Sequence, residues 1–328
     1  MKLIKHLLIL FLFCAVMLAG LMGFYATRPL TLPAIPFEFS INQGYSLKAA
    51  ARQMQQSGII SNDWIFVWLA RALGKSTQIK AGNYQLEEPV TRLELLDMIT
   101  NGQASQSEVR IIEGYTFNQL RVILNANPVI RHDSLALSEA EIMQHLGASE
   151  RLAEGLFFPD TYYFANGSSD LDVLKRAYQS MQKHLFESWQ NRAPGLPLES
   201  PYQALILASI VEKETGQAKD RGMIAGVFIN RLRKGILLQT DPTVIYGIGA
   251  RFDGNLHKRD LQTDTPYNTY TRKGLTPTPI ALPGVASLQA ALHPAQTDAL
   301  YFVARGDGSS IFSETLVQHN RAVFRYQK

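Results

Sequence analysis

The sequence predicts an α+β protein in three parts: an N-terminal transmembrane helix, a small α+β domain, and a larger α+β domain built around one buried helix. Three observations carry this reading. Residues 7 to 25, LLILFLFCAVMLAGLMGFY, hold no charge and have about the length that spans a bilayer. Short strand and helix patterns alternate between residues 38 and 103, as in a compact α+β unit. From Ser200 to Gly216, SPYQALILASIVEKETG is an apolar helix that ends abruptly in two carboxylates.

Lys2 and Lys5 precede the apolar run, and after Arg28 the next basic residue is Lys48. This bias makes residues 1 to 6 a cytoplasmic tail and puts everything beyond residue 25 outside. A cleaved signal peptide would have a shorter apolar core and a small-residue cleavage site, so a retained single-pass anchor is expected. Cys14, the one cysteine, lies inside the run, which excludes disulfides, a thiol nucleophile and Cys-ligated zinc from the exported part. That part, about 300 residues, is long enough to bury a sufficient core without disulfides. The formal charge of +4 and pI of 9.0 favour an anionic neighbour such as lipid or cell-wall polymer. The 32 basic residues are scattered among 28 acidic ones, with no stripe that speaks for nucleic acid.

Residues 26 to 37 contain TRPLTLPAIP, whose prolines and near absence of charge suit an extended linker leaving the membrane. The small domain, residues 38 to 103, follows. An alternating strand from Phe37 to Ile41 meets a turn at Gly44, and Ser46 caps a helix running through Met54 to Gly58. A second helix carries Trp64, Ile65, Trp68 and Leu69; IKAGNYQL is a strand; TRLELLDMITNG is a helix capped by Thr91 and ended by Gly102. GYSLKAAARQMQQSGII in this strand, turn, helix, helix, strand order resembles the first half of a LysM module. The resemblance implies a domain that holds N-acetylglucosamine polymers; a plain α+β spacer is the alternative.

Residues 104 to 150 form a connecting α+β unit, in which Ile112, Gly114, Tyr115, Thr116 and Phe117 repeat the strand-to-capped-helix order of Ile41 to Leu47. From 151 to 328 the texture changes. EGLFFPDTYYF crowds aromatics against Glu154, Pro159 and Asp160, a mixture suited to a sugar-binding wall or an apolar lid. Residues 171 to 190 are an amphipathic helix, which APGLPLE breaks.

In the helix after that break, Ser200, Pro201 and Gln203 form the pattern of a capping box, and Gly216 is the expected stop. Every residue from Ala204 to Val211 except Ser209 is apolar, so the helix is buried. Its last turn puts Glu212 and Glu214 at the mouth of a core, near carbonyl ends, where both effects raise a carboxyl pKa. A carboxylic acid still protonated near neutral pH suits general acid catalysis of glycosidic cleavage. Lys213 would oppose the shift only if it pointed the same way, and at about 100° per residue it does not. Periodicity does not choose between the glutamates. A buried helix ending in Glu followed by Ser or Thr resembles the lysozyme-like lytic transglycosylases, and Glu214-Thr215 fits that arrangement.

A more specific resemblance lies downstream. GVFINRLRKGILLQTDPTVIYGIG from Gly226 to Gly249, TPYNTY at 265 to 270 and ALPGVASLQAALHPA at 281 to 295, with EGLFFPDTYYF and ASIVEKET, resemble the YceG-like endolytic murein transglycosylases over essentially the whole chain. The resemblance implies a carbon–oxygen lyase that cuts within peptidoglycan strands between N-acetylmuramic acid and N-acetylglucosamine, leaving a 1,6-anhydro end. It implies an inner-membrane anchor with a periplasmic catalytic part, and makes peptidoglycan synthases candidate partners. It places the catalytic acid on Glu214. Because the nucleophile is the sugar's own 6-hydroxyl, one carboxyl serves as acid and then base. Gln239, Thr240, Asp241 and Tyr246 in LQTDPTVIYG, with Asn268 and Tyr270 in YNTY, are candidate substrate-binding residues beside Glu154 and Asp160. Each is also of a type that satisfies buried backbone groups. Asn230 and Arg231 are expected to brace the site. His257, His293 and His319 lack metal-ligand spacing, and neither a metal nor a cofactor is expected. Two rival readings stay open: a noncatalytic wall-binding scaffold, and a hydrolytic muramidase using Asp241, Asp253 or Asp264 as second carboxylate.

Overall fold

The computed structural model describes residues 2–102, 107–150 and 152–327. It divides into two compact units: Met1–Glu108 with Pro128–Arg131 and Tyr163–Ser169, and Val109–Asn127 with His132–Tyr162 and Asp170–Lys328.

The first unit opens with α1 (Lys2–Thr27), followed by β1 (Phe37–Ile41), α2 (Leu47–Gln56), α3 (Asp63–Ala72), β2 (Gly82–Leu86) and α4 (Arg92–Asn101). Within α1, the run Ile4–Thr27 is long and apolar enough to cross a membrane. β1 and β2 pair antiparallel, Phe37 opposite Leu86 and Ile41 opposite Gly82, so the strands meet across the helices that separate them in sequence. The predicted caps form. Ser46 accepts the Ala49 N–H at 3.3 Å, and Thr91 and Glu94 make a reciprocal capping box. Ala50, Met54, Phe66, Leu95 and Ile99 make the centre of the core.

The proline-rich segment after α1 carries part of the core of this unit. Ala26 and Leu30 are buried in that same core, with Met22 and Leu32 packed against it, and the Leu30 N–H donates to Val90 O at 2.8 Å. The reason is in the sequence: the segment is almost uncharged, and its leucines gain more by burial than by solvation.

β3 (Ser107–Arg110) pairs with β4 (Thr161–Phe164). The second unit contains α5 (Phe117–Ala126), α6 (Glu139–Leu146), α7 (Asp170–Gln190), α8 (Pro201–Glu214), α9 (Ala218–Arg233), α10 (Asp241–Ile248), α11 (Lys258–Gln262), α12 (Val285–Leu292), β5 (Tyr301–Ala304), β6 (Ser310–Ser313) and α13 (Leu316–Tyr326). β5 and β6 pair antiparallel with Tyr301 opposite Ser313.

The core of this unit is α8, whose residues Ala204 to Val211 are all buried and which packs against α7, α9 and α12. Ser209, the polar exception, is satisfied: its hydroxyl donates to Ile206 O at 2.7 Å and accepts the Ile280 N–H at 3.0 Å. Both ends of α8 differ from expectation. Ser200 accepts the Gln203 N–H, but the Gln203 carboxamide accepts the N–H of Glu199 at 2.8 Å, so half of the capping box is formed one residue early. At the other end Thr215 is extended, with φ −150° and ψ 133°, and Gly216 makes no left-handed turn. The chain leaves α8 straight, holding Glu214 at the helix terminus.

Candidate active site

Glu214, the last residue of α8, turns its carboxyl toward the start of α10. The Thr240 hydroxyl donates to Glu214 Oε1. Thr240 occupies the cap position of α10, yet its side chain makes no cap bond. The local sequence explains this. Pro242 has no N–H to cap, and the Thr243 N–H is taken by Thr240's own carbonyl at 3.3 Å. The hydroxyl is therefore free for Glu214. Backbone and hydroxyl bonds hold Thr240 itself: its N–H donates to Thr269 Oγ1 at 3.1 Å, its carbonyl accepts from Thr243 Oγ1 at 2.7 Å, and the Thr243 and Thr269 hydroxyls lie 2.9 Å apart.

Burial is the main cause that pushes the Glu214 carboxyl up to about 7. The Thr240 hydrogen bond opposes it, the neighbouring Asp241 charge adds to it, and the Arg231 charge opposes it. Asp241 in turn accepts a hydrogen bond from the Tyr270 hydroxyl.

Arg231, in the last turn of α9, is buried and multiply bonded. Its Nε donates to Leu300 O at 2.6 Å, and Nη1 donates to Leu238 O at 2.9 Å, Leu237 O at 3.1 Å and Gln239 Oε1 at 3.4 Å. These bonds pin the segment leading into α10. Gln239 sits there at φ +50°, the one non-glycine residue with positive φ among the described residues. Such a conformation costs a side-chain-bearing residue about 1 kcal/mol, and Arg231 helps to offset it. Asn230 ties the other side, donating to Thr297 O at 2.6 Å and Ala299 O at 3.2 Å.

Glu212 faces elsewhere. Its Oε2 accepts the Gly284 N–H at 3.0 Å, at the cap position of α12, and its Oε1 lies 3.8 Å from Arg221. A carboxylate at a helix N-terminus with a nearby guanidinium is a structural arrangement. The Glu212 side chain is only 7% exposed. Lys213 donates to Gly114 O at 3.2 Å, away from Glu214.

A second carboxyl is also raised. Glu154 is buried, accepts the Phe117 N–H at 3.0 Å and the Tyr246 hydroxyl at 3.1 Å, and is pushed to about 7, mainly by burial. Tyr246 lies six residues along α10 from Thr240, about 9 Å at 1.5 Å per residue. The two carboxyls thus serve opposite ends of α10.

The structure brings Glu214, Gln239, Thr240, Asp241 and Tyr270 into one bonded neighbourhood, and Glu154 with Tyr246 into another. Asn268 belongs to the wall. It is fully buried; its amide donates to Thr263 O at 2.7 Å, Leu261 O at 3.1 Å and Asp260 O at 3.2 Å, and its carbonyl accepts the Tyr270 N–H at 2.8 Å. Both amide protons are engaged within the protein and the side chain is closed off from solvent. Asp160 is exposed and accepts the Thr161 N–H at 2.7 Å, with no bond linking it to either carboxyl. Of the other acids considered, Asp264 is bonded by Arg272 at 2.8 Å on both oxygens and is held at about 2, and the exposed Asp253 accepts the Asn255 N–H and lies 3.4 Å from His257. Sequence reasoning missed Thr243 and Thr269. The signal for Thr243 was its spacing three residues from Thr240; Thr269 had none, because its partner is distant in sequence.

Residues 39–325 match the YceG-like family. The chain belongs to the YceG-like family. A Bacillus subtilis protein named endolytic murein transglycosylase is 32% identical to this YceG-like chain over 304 residues, covering 88% of it and 84% of the relative. Streptococcus pneumoniae proteins of the same name are 26% identical over 318 residues, covering 86% of this chain and 57% of theirs. The crystal structure of a yceG-like protein from Listeria monocytogenes is similar with a TM-score of 0.55 and 28% identity, covering 87% of this chain and 98% of that one.

Proposed function

We propose that this YceG-like chain is an endolytic murein transglycosylase: it cuts peptidoglycan strands internally at the N-acetylmuramic acid to N-acetylglucosamine bond. The observation that carries the reaction is the Glu214 carboxyl at the end of a buried helix, poised near pH 7 and bonded by Thr240. Protonated Glu214 gives its proton to the glycosidic oxygen as that bond breaks. The carboxylate left behind is steadied by the Thr240 hydroxyl and takes the proton of the muramyl 6-hydroxyl as it closes on the anomeric carbon. One proton enters and one returns, without water. The Asp241 carboxylate, bonded by Tyr270, adds negative charge where the anomeric centre becomes positive.

Gln239, Asp241 and Tyr270 are proposed to meet the sugar beside Glu214, and Glu154 with Tyr246 to line a second subsite. Residues 38–103 act as a LysM-like glycan-holding domain, and α1 as a retained anchor with the N-terminus in the cytoplasm and the catalytic part in the periplasm. Wall synthases are the proposed partners. A hydrolytic muramidase would need a second carboxylate to activate water. Of Asp241, Asp253 and Asp264, Asp241 alone shares the Glu214 surroundings. Mass spectrometry of digested strands separates the chemistries: 1,6-anhydro ends that disappear in Glu214→Gln support the proposal, whereas reducing ends mean hydrolysis and uncut strands mean a scaffold.

A further inference from the structure

α1 ends against protein. Arg92 of α4 donates Nη1 to Tyr25 O and Arg28 O, both at 3.2 Å, and its guanidinium lies 4.2 Å from the centroid of the Tyr25 ring. The Tyr25 hydroxyl reaches the carbonyl of Asn62, the cap position of α3, at 3.5 Å. Next to this tie stand two tryptophans. Trp64 and Trp68 are one helical turn apart on α3 and 60% and 58% exposed, while Phe66, Val67, Leu69 and Ala70 of the same helix are buried. Ile35, 56% exposed, follows Pro33, which packs close to Gly58 in the turn before α3.

Large aromatic rings side by side in water need an explanation, and helix length supplies one. The 24 residues Ile4–Thr27 make about 36 Å of helix, against about 30 Å of hydrocarbon, so the span ends within about a turn of Tyr25. Tyr25 then stands at the headgroup level, and Asn62 with it. Trp64 follows Asn62 by two residues, at most about 7 Å of chain, comparable with the depth of the headgroup layer. Indole rings, apolar with one N–H donor, favour that layer. Arg28, whose guanidinium lies 4.3 Å from the Phe24 ring centroid, adds a cation at the same level for anionic lipid.

We propose that Trp64 and Trp68 are seated in the outer headgroup layer of the bilayer that α1 spans. α3 is then a membrane-contacting face of the small unit. The proposal rests on the reading of α1 as a retained anchor, and its test separates the two. The chain has three tryptophans, and Trp189→Phe leaves Trp64 and Trp68 as the reporters. The full chain carrying this substitution is reconstituted into phosphatidylethanolamine and phosphatidylglycerol vesicles whose acyl chains are brominated either near the headgroup or near the chain end. Retention of α1 is followed in parallel by resistance to alkaline extraction. Retention with most of the emission lost to shallow bromines, and less to deep ones, supports the proposal. Retention with no quenching means that the rings face water or a protein partner, and stronger deep quenching means burial in hydrocarbon; either overturns it while leaving the anchor intact. Extraction of the chain by alkali removes the anchor and the proposal together. The unsubstituted chain, with Trp189 as an unquenched background, must rank the two lipids in the same order.

Discussion

Substituting Glu214 by Gln tests both the chemistry and the origin of the raised pKa. Gln keeps the shape and can still accept from Thr240, but it cannot transfer a proton. Formation of anhydro ends should fall by roughly a hundredfold to ten-thousandfold. The stability effect has a definite sign. In the folded chain the carboxyl titrates near 7 and in the unfolded chain near 4.5. Below pH 4.5 both forms are protonated and the substitution changes little. Between the two values ionisation favours the unfolded chain, and above 7 the penalty is complete. That difference is worth about 3 kcal/mol at about 1.36 kcal/mol per unit. Glu214→Gln should therefore leave stability level near about pH 4 and raise it by about 2–3 kcal/mol near about pH 8.5. Urea unfolding of the detergent-solubilised chain, read by pulse proteolysis, measures both. Glu154 titrates in both proteins and cancels in the difference. An equal effect at both pH values, or a loss of stability confined to high pH, would refute the account of a carboxyl held protonated by burial.

Other substitutions separate the neighbouring groups. Thr240→Val removes a hydrogen bond that lowers the Glu214 pKa, so the alkaline limb of kcat/KM should move upward; Tyr246→Phe does the same for Glu154, and if it alone moves the limb, the acid is Glu154. Glu212→Gln should cost about 2 kcal/mol in thermal or urea unfolding, because it leaves Arg221 without its carboxylate, while the per-molecule rate of folded protein stays within about twofold. Gln239→Gly should raise stability by up to about 1 kcal/mol through relief of the positive φ; an accompanying rise in KM, measured with defined glycan strands, would mark the lost carboxamide as a sugar contact.

Local signals in the sequence carried far. The caps at Ser46, Thr91, Thr116 and Ser200 are short-range hydrogen-bonding patterns, and each accepts the backbone N–H three residues on. The apolar run from Ala204 to Val211, interrupted only by Ser209, was enough to bury α8. Where the reading stopped, the deciding partner was remote. Nothing near Glu212 in sequence announces Gly284, seventy-two positions away, so its fixed, capping role could not be told from that of Glu214. Asn268 was indistinguishable from a sugar-binding amide until the carbonyls of Asp260, Leu261 and Thr263 folded around it. In residues 26 to 37 the proline content suggests extension but says nothing of burial, and the two are compatible, as Leu30 shows.

On the proposed reading of α1 as an anchor, the burial of Ala26 and Leu30 bears on how the rest of the chain could be released from it. A protease that clips a stalk needs several residues of backbone it can draw into an extended, unencumbered conformation. Here the Leu30 amide is engaged with Val90, Pro29 bridges to Thr91, and the adjoining carbonyls of Tyr25 and Arg28 are held by Arg92. Shedding would require the small unit to open first, so cleavage should follow the unfolding equilibrium of that unit instead of the abundance of the protease. The same feature sets where a shortened version can begin: a chain started beyond residue 30 lacks two of its own core side chains, and one that keeps them also keeps the last turn of α1.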